Sequence, residues 1–136
     1  MDKMVRSWMS RQVVSVPPDA TARQAMEAMG ECGVRHVLVQ EEEGELLGMI
    51  SNRDLVRVVL RNFGRVFDLE GASAKDIMTP APLHTTHPDA SLAAAARLLE
   101  EHQISALPVI EDGALRGILT TSDLLRTISQ GEEASP

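Results

Sequence analysis

Apolar residues return along this chain with two alternating rhythms. Ala22, Ala25, Met26 and Met29 recur at i, i+3, i+4, i+7, and so do Leu92, Ala95, Ala96 and Leu99. Each set is one stripe on an α-helix. A Pro-Asp turn precedes each stripe, and Thr21 or Ser91 then stands where a side-chain oxygen can cap the helix. Thr21 with Gln24 completes a capping box. Short extended segments are predicted before these turns, at 13–16 and 83–86. After each helix the pattern changes to runs rich in β-branched residues, 34–39 and 104–110, which read as strands. Acidic turns closing on Gly44 or Gly113 lead into second strands, 46–51 and 115–120. A second helix is predicted just after Asp54 and just after Asp123.

The two rhythms form one pattern written twice. Gly48-Met49-Ile50-Ser51-Asn52-Arg53-Asp54-Leu55 returns as Gly117-Ile118-Leu119-Thr120-Thr121-Ser122-Asp123-Leu124. Outward from the aspartates, Met9 aligns with Met78, Pro18-Asp19-Ala20-Thr21 with Pro88-Asp89-Ala90-Ser91, Val39 with Val109 and Arg57 with Arg126. Such self-similarity is the main organisational signal. It divides the chain into a first repeat at 3–62, a linker at 63–73, a second repeat at 74–129 and a polar, flexible tail at 130–136. Each repeat reads β-α-β-β-α, a mixed α/β (α+β) class. A unit of about 60 residues buries too little surface alone. The two are therefore expected to pair through their sheets, with pseudo-two-fold symmetry.

Composition narrows the function. A net charge of −7 argues against general binding of duplex nucleic acid, and 2% aromatic residues argue against base-stacking platforms. No apolar run approaches the ~20 residues that span a bilayer, and the N-terminus lacks the apolar core of a signal peptide. A single cysteine, Cys32, fits a reducing cytoplasm. It has no activating cation beside it and reads as a small apolar residue.

The repeated Gly-x-x-Ser/Thr-x-x-Asp motif carries the candidate chemistry. An aspartate at a strand-to-helix junction can accept two hydrogen bonds from a ribose diol. The hydroxyl three residues earlier can donate to a phosphate, and the helix N-terminus favours an anion. The alternative is that Asp54 and Asp123 cap helices and do no more.

With Asp76-Ile77-Met78-Thr79 at a repeat entrance, Ile104-Ser105-Ala106-Leu107-Pro108-Val109 on a strand, and the duplicated motif, the chain resembles a tandem of cystathionine-β-synthase (CBS) domains, a Bateman module. Gly48 to Leu55 also resembles the matching stretch in the CBS modules of inosine monophosphate dehydrogenase. Leu38 departs from the pattern where the second repeat has Pro108, and Trp8-Met9-Ser10 departs from the usual entrance. The resemblance implies two ligand clefts, each combining parts of both repeats. Cleft A would hold Thr120, Thr121, Ser122 and Asp123 with Gln12, Val13, Val14, Arg35 and His36. Cleft B would hold Ser51, Asn52, Arg53 and Asp54 with Pro82, Leu83, His84, Ser105 and Ala106. Arg35 and His36 stand where related modules place basic residues against phosphates, so cleft A is expected to be the better site. The implied ligand is AMP, ADP, ATP or S-adenosylmethionine, with no cofactor required.

The remaining signals are weaker. His84-x-x-His87 is half a metal site, His102 is expected on the far side of a helix, and no metal is predicted. The methionines read as core fillers. Leu55, Val58 and Val59 make one stripe while Val56 and Leu60, followed by Phe63 and Phe67, add apolar surface elsewhere. In the family the matching helices pack two modules together, so a homodimer is expected. The leading reading is a non-catalytic sensor of an adenine ligand, acting on an unidentified effector protein. A structural dimer with vestigial clefts is the second reading. An enzyme acting on nucleotides is the third, and no Gly-rich phosphate loop or nucleophile–base order supports it.

Overall fold

Thr21 opens the first long helix as its sequence predicts. Its hydroxyl accepts the Gln24 amide at 3.1 Å, and the Gln24 side chain accepts the Thr21 amide at 2.9 Å. Helix α1 runs Ala22–Cys32 and ends at Gly33, whose φ of 66° is the left-handed conformation glycine adopts freely. Ser91 caps α4, Leu92–His102, through the Ala94 amide. Ala22, Ala25 and Met29 are buried on one helix and Leu92, Ala95 and Leu99 on the other. Met26, at 42% exposure, lies at the edge of its stripe. Cys32 ends α1 exposed to solvent, so it does not act as the small apolar residue expected.

The computed structural model describes residues 3–61 and 71–134. Phe63 and Phe67, with most of the expected linker, lie outside the described residues. The chain divides into two compact units. A central unit is Val14–Leu83; a terminal unit joins Met1–Val13 to His84–Pro136.

The central unit carries strands β1 (Ser15–Val16), β2 (His36–Gln40), β3 (Leu46–Ser51) and β4 (Thr79–Pro80), adjacent in that order. β1 runs parallel to β2, and the other pairs are antiparallel. Helix α2, Asn52–Arg61, follows β3, and a short α3, Ala74–Ile77, precedes β4. The core gathers Val16, Ala25, Met29, Val37, Val39, Ile50 and Ala74. In the terminal unit, β5 (Ala106–Glu111) and β6 (Ala114–Thr120) form an antiparallel hairpin beside α4 and α5, Thr121–Ala134. Its core is Val5, Leu92, Ala95, Leu99, Leu107, Val109 and Leu119. No helix among the described residues is long and apolar enough to cross a membrane.

Sequence repeats and compact units cut the chain differently, because the segment that enters each repeat completes the unit holding the body of the other. Ser10, from the first repeat, exchanges two 2.9 Å backbone hydrogen bonds with Ile118. Lys3 and Val5 bond in the same way to Leu92 and Ala90. Thr79 and Pro80, from the second repeat, pair with Met49 and Gly48. Ala72 and Ala74 bond to Ala22 and Ala20. The motif glycines are shaped by these crossings. A Cβ on Gly48 would stand 2.5 Å from both Met78 Sδ and the Thr79 carbonyl oxygen. One on Gly117 would collide with the Ser10 carbonyl oxygen and press on Met9 Sδ. Only glycine leaves room for the incoming backbone.

Several predicted elements need correction. The second helices begin before the aspartates, at Asn52 and Thr121. β2 and β5 begin two residues later than expected, at His36 and Ala106. The extended segment at 83–86 reduces to one parallel bridge from Thr86 to Val109. Helix α5 continues through Gln130 to Ala134, where the sequence suggests a polar tail; Glu and Ala are good helix formers there. The 3₁₀ turn Val5–Ser7, α3 and β4 are too short to show a period and were not predicted.

Candidate functional site

β3 ends at Ser51 and α2 begins on the next residue, so the first motif sits at a strand end and a helix N-terminus together. The Ser51 amide donates to Asp54 Oδ2 at 2.8 Å, and the Asp54 amide donates to Ser51 Oγ at 3.1 Å. This is a reciprocal capping box, with serine as the cap and aspartate closing it from the first turn. Asp54 Oδ1 forms a loose ion pair with Arg57, whose Nη1 is 3.7 Å away. The Asp54 side chain keeps 17% exposure.

β2 brings more chemistry to this strand end. His36 pairs with Ser51 in register, and the Asn52 amide donates to the Arg35 carbonyl oxygen at 2.9 Å. Burial pushes the His36 pKa below the usual histidine value of 6.5; the Asp54 carboxylate opposes this, and Arg35 and Arg53 add to it. The central unit thus gathers His36, Ser51, Asn52, Arg53 and Asp54, with exposed Arg35 next in line. Within the central unit, Arg35 and His36 stand at the strand end that also carries Ser51 and Asn52.

The second motif repeats the box in the terminal unit with two differences. The Thr120 amide reaches Asp123 Oδ2 at 2.8 Å, and the Asp123 amide reaches Thr120 Oγ1 at 3.3 Å. Here the hydroxyl also donates to Asp123 Oδ2, at 3.1 Å. Asp123 Oδ1 accepts from Arg126 Nη2 at 2.6 Å, and the same nitrogen donates to the Trp8 carbonyl oxygen at 3.0 Å. The Asp123 side chain is 10% exposed. Ala106 pairs with Thr120, and the Thr121 amide bonds the Ser105 carbonyl oxygen, so uncharged residues occupy the places that Arg35 and His36 hold in the central unit.

The other expected site residues divide between the units. Val14, Pro82 and Leu83 belong to the central unit, and Gln12, Val13 and His84 to the terminal one. Val14 sits at the sheet edge, its carbonyl oxygen accepting the Leu38 amide. Sequence reasoning missed Arg126 as a partner of Asp123, although its alignment with Arg57, three residues beyond each aspartate, was a usable signal.

Two histidine clusters lie elsewhere in the terminal unit. His84 stacks on His102 with ring centroids 3.6 Å apart, so His102 is not on the far face of its helix. His87, Asp89 and Glu111 place ligand-type atoms within 4.8 Å of one another. Arg6 pairs with Asp89, Arg116 stands 3.5 Å from Glu111, and His87 Nδ1 accepts the Asp89 amide. Arginines already neutralise both carboxylates, which weakens any hold on a cation. A 710 Å³ depression in the central unit is lined by β1, the Pro17–Asp19 turn and the β2–β3 turn. Asp19, Glu41 and Glu42 face it, the wrong sign for a phosphate.

The model of the CBS domain matches residues 5–61 and again 74–130. The chain belongs to the CBS domain family and carries the domain twice. It is 30% identical over 124 residues to homoserine O-acetyltransferase of Methanohalophilus mahii, covering 90% of this chain and 24% of that enzyme. It is 31% identical over 130 residues to the CBS domain-containing protein YhcV of Bacillus subtilis, covering 96% of this chain and 89% of that protein. The chain spans between 22% and 32% of the length of the first curated relatives it matches. Among solved structures it is similar to CBSX2 in complex with AMP, with a TM-score of 0.78, 28% identity, and coverage of 96% of this chain and 99% of that one.

Proposed function

We propose that the chain is a non-catalytic regulatory module that senses an adenine nucleotide or adenosyl ligand at its Gly-x-x-Ser/Thr-x-x-Asp motifs. The observation that carries this reading is the setting of Asp54. Its Oδ2 closes the capping box, its Oδ1 lies 3.7 Å from Arg57, and it shares the surroundings of His36 with Arg35 and Arg53. A ribose diol fits the carboxylate, and a phosphate fits the basic residues and the helix N-terminus. That CBSX2 is solved with AMP supports the same class of ligand. Binding regulates only if one conformation of the module takes the ligand better than another.

Val56, Val59 and Leu60 on α2, and Leu125 and Ile128 on α5, are all more than half exposed. We read them as the surface of a homodimer, with an effector protein receiving the signal. A structural dimer with vestigial sites is the second reading, and the capping boxes favour it, since they give both aspartates work without a ligand.

Titration calorimetry and thermal unfolding with AMP, ATP and S-adenosylmethionine decide between the two. A true ligand at one hundred times its Kd adds about 2.7 kcal/mol of stability. Binding that Asp54→Ala removes supports the sensor. No heat and no thermal shift with any of the three would leave the structural reading.

A further inference from the structure

The two motifs share a sequence and differ in what holds their outer carboxylate oxygen. Resting on the adenine-ligand reading above, we infer that Arg126 determines site occupancy: it latches the Asp123 motif against a ribose, and so makes the Asp54 motif the primary site.

A diol needs two acceptor positions on the carboxylate. At Asp123, Oδ2 already takes the Thr120 amide and the Thr120 hydroxyl, and Oδ1 takes Arg126 at 2.6 Å. Charge-assisted bonds of that length are the stronger class. The guanidinium is also fixed at a second point, the Trp8 carbonyl oxygen, so it does not swing away freely. At Asp54, Oδ2 takes the Ser51 amide, and Arg57 stands 3.7 Å from Oδ1, outside hydrogen-bond range. Arg57 and Arg126 occupy equivalent places three residues after their aspartates. Only Arg126 has a backbone carbonyl from the entering segment to lean on among the described residues. A ribose arriving at Asp123 must break a 2.6 Å charge-assisted hydrogen bond, whereas at Asp54 it meets only a looser 3.7 Å ion pair with Arg57. This reverses the order of sites expected from the sequence.

The test uses AMP as the probe in titration calorimetry on the full chain and its variants. Wild type is expected to bind AMP at one motif, and Asp54→Ala to abolish that binding. Arg126→Gln should open a second, Asp123-dependent site, or tighten it by about tenfold or more, the scale of a lost charge-assisted hydrogen bond. Arg126→Lys keeps the charge but lacks the planar fork, and should open the site less than glutamine does. Thermal unfolding run alongside checks that each variant is folded. If Arg126→Gln weakens AMP binding, or leaves stoichiometry and affinity unchanged while wild type binds, the latch is wrong and the sensor reading stands. If wild type and every folded variant bind no adenine ligand, the sensor reading fails and takes the latch with it.

Discussion

Met9 lies against Gly117, with its sulfur 3.2 Å from where a Cβ on the glycine would stand. Met78 lies against Gly48 more closely still, its sulfur 2.5 Å from the equivalent position. The glycine that opens each motif is therefore a crossing point for backbone, with no ligand needed to explain it. Gly117→Ala sets a methyl against the Ser10 carbonyl oxygen, and Gly48→Ala sets one against Thr79. Each should destabilise by about 1–3 kcal/mol in urea unfolding, in the range of overpacked sites. A loss below about 1 kcal/mol in both would show that the entering segments give way.

Gly30 is the contrasting case. It is exposed within α1, and a Cβ there meets nothing within 4 Å. Gly30→Ala should stabilise the chain by about 0.5–1 kcal/mol through helix propensity alone. The same urea series reads both signs.

His36 gives a pH dependence whose direction follows from its burial. Its folded pKa lies below the unfolded value of 6.5. The unfolded chain therefore holds the proton more readily. Stability is full above 6.5 and falls as pH drops from there toward the folded value. His36→Gln should flatten that part of the curve. Urea midpoints for the two proteins at pH 7.5 and 5.5, compared as a difference, check it; parallel behaviour would mean that His36 contributes nothing.

Asp123 and Asp54 should differ in stability as well as in ligand binding. Asp123→Ala removes a capping box and a short ion pair whose arginine is 52% exposed. Allowing for that exposure, the loss should be about 1–2 kcal/mol, against about 1 kcal/mol for Asp54→Ala. Thermal unfolding without ligand measures both. Equal losses would indicate that the Arg126 bond is absent in solution.

The exposed face of α2 yields a test of assembly. Val59→Glu with Leu60→Glu should shift sedimentation from dimer toward monomer at tens of micromolar, since both positions are more than half exposed. Unfolding of the monomer should change by less than about 0.5 kcal/mol. A wild type that sediments only as monomer would remove the dimer.

What the sequence revealed depended on how far apart the interacting residues lie. Thr21 with Gln24, and the tight turn at Gly113, are local devices and read directly. Ser73-Ala74-Lys75-Asp76 carries a capping pattern, the Asp76 amide bonding Ser73 Oγ, and this was the available signal for α3. Ser51-x-x-Asp54 carries the same pattern, so the box was legible beneath the ligand motif. The bond from Arg126 to Trp8 joins residues 118 positions apart, and no periodicity reports it. Nor could spacing show that Met9 would meet Gly117, because that contact exists only once segments from the two repeats share a unit.

That exchange of segments sets the timetable of synthesis. Residues 3–10 leave the ribosome well before their partners, Ala90, Leu92 and Ile118, which are made about a hundred residues later. The central unit, Val14–Leu83, has all its strands once Pro80 has emerged, and can assemble first. The terminal unit must wait for β6, with its opening segment held unpaired in the meantime. Contacts of such long separation also slow folding of the free chain. A nascent chain halted before Ile118 should therefore protect the central unit from protease while residues 3–10 are still cut.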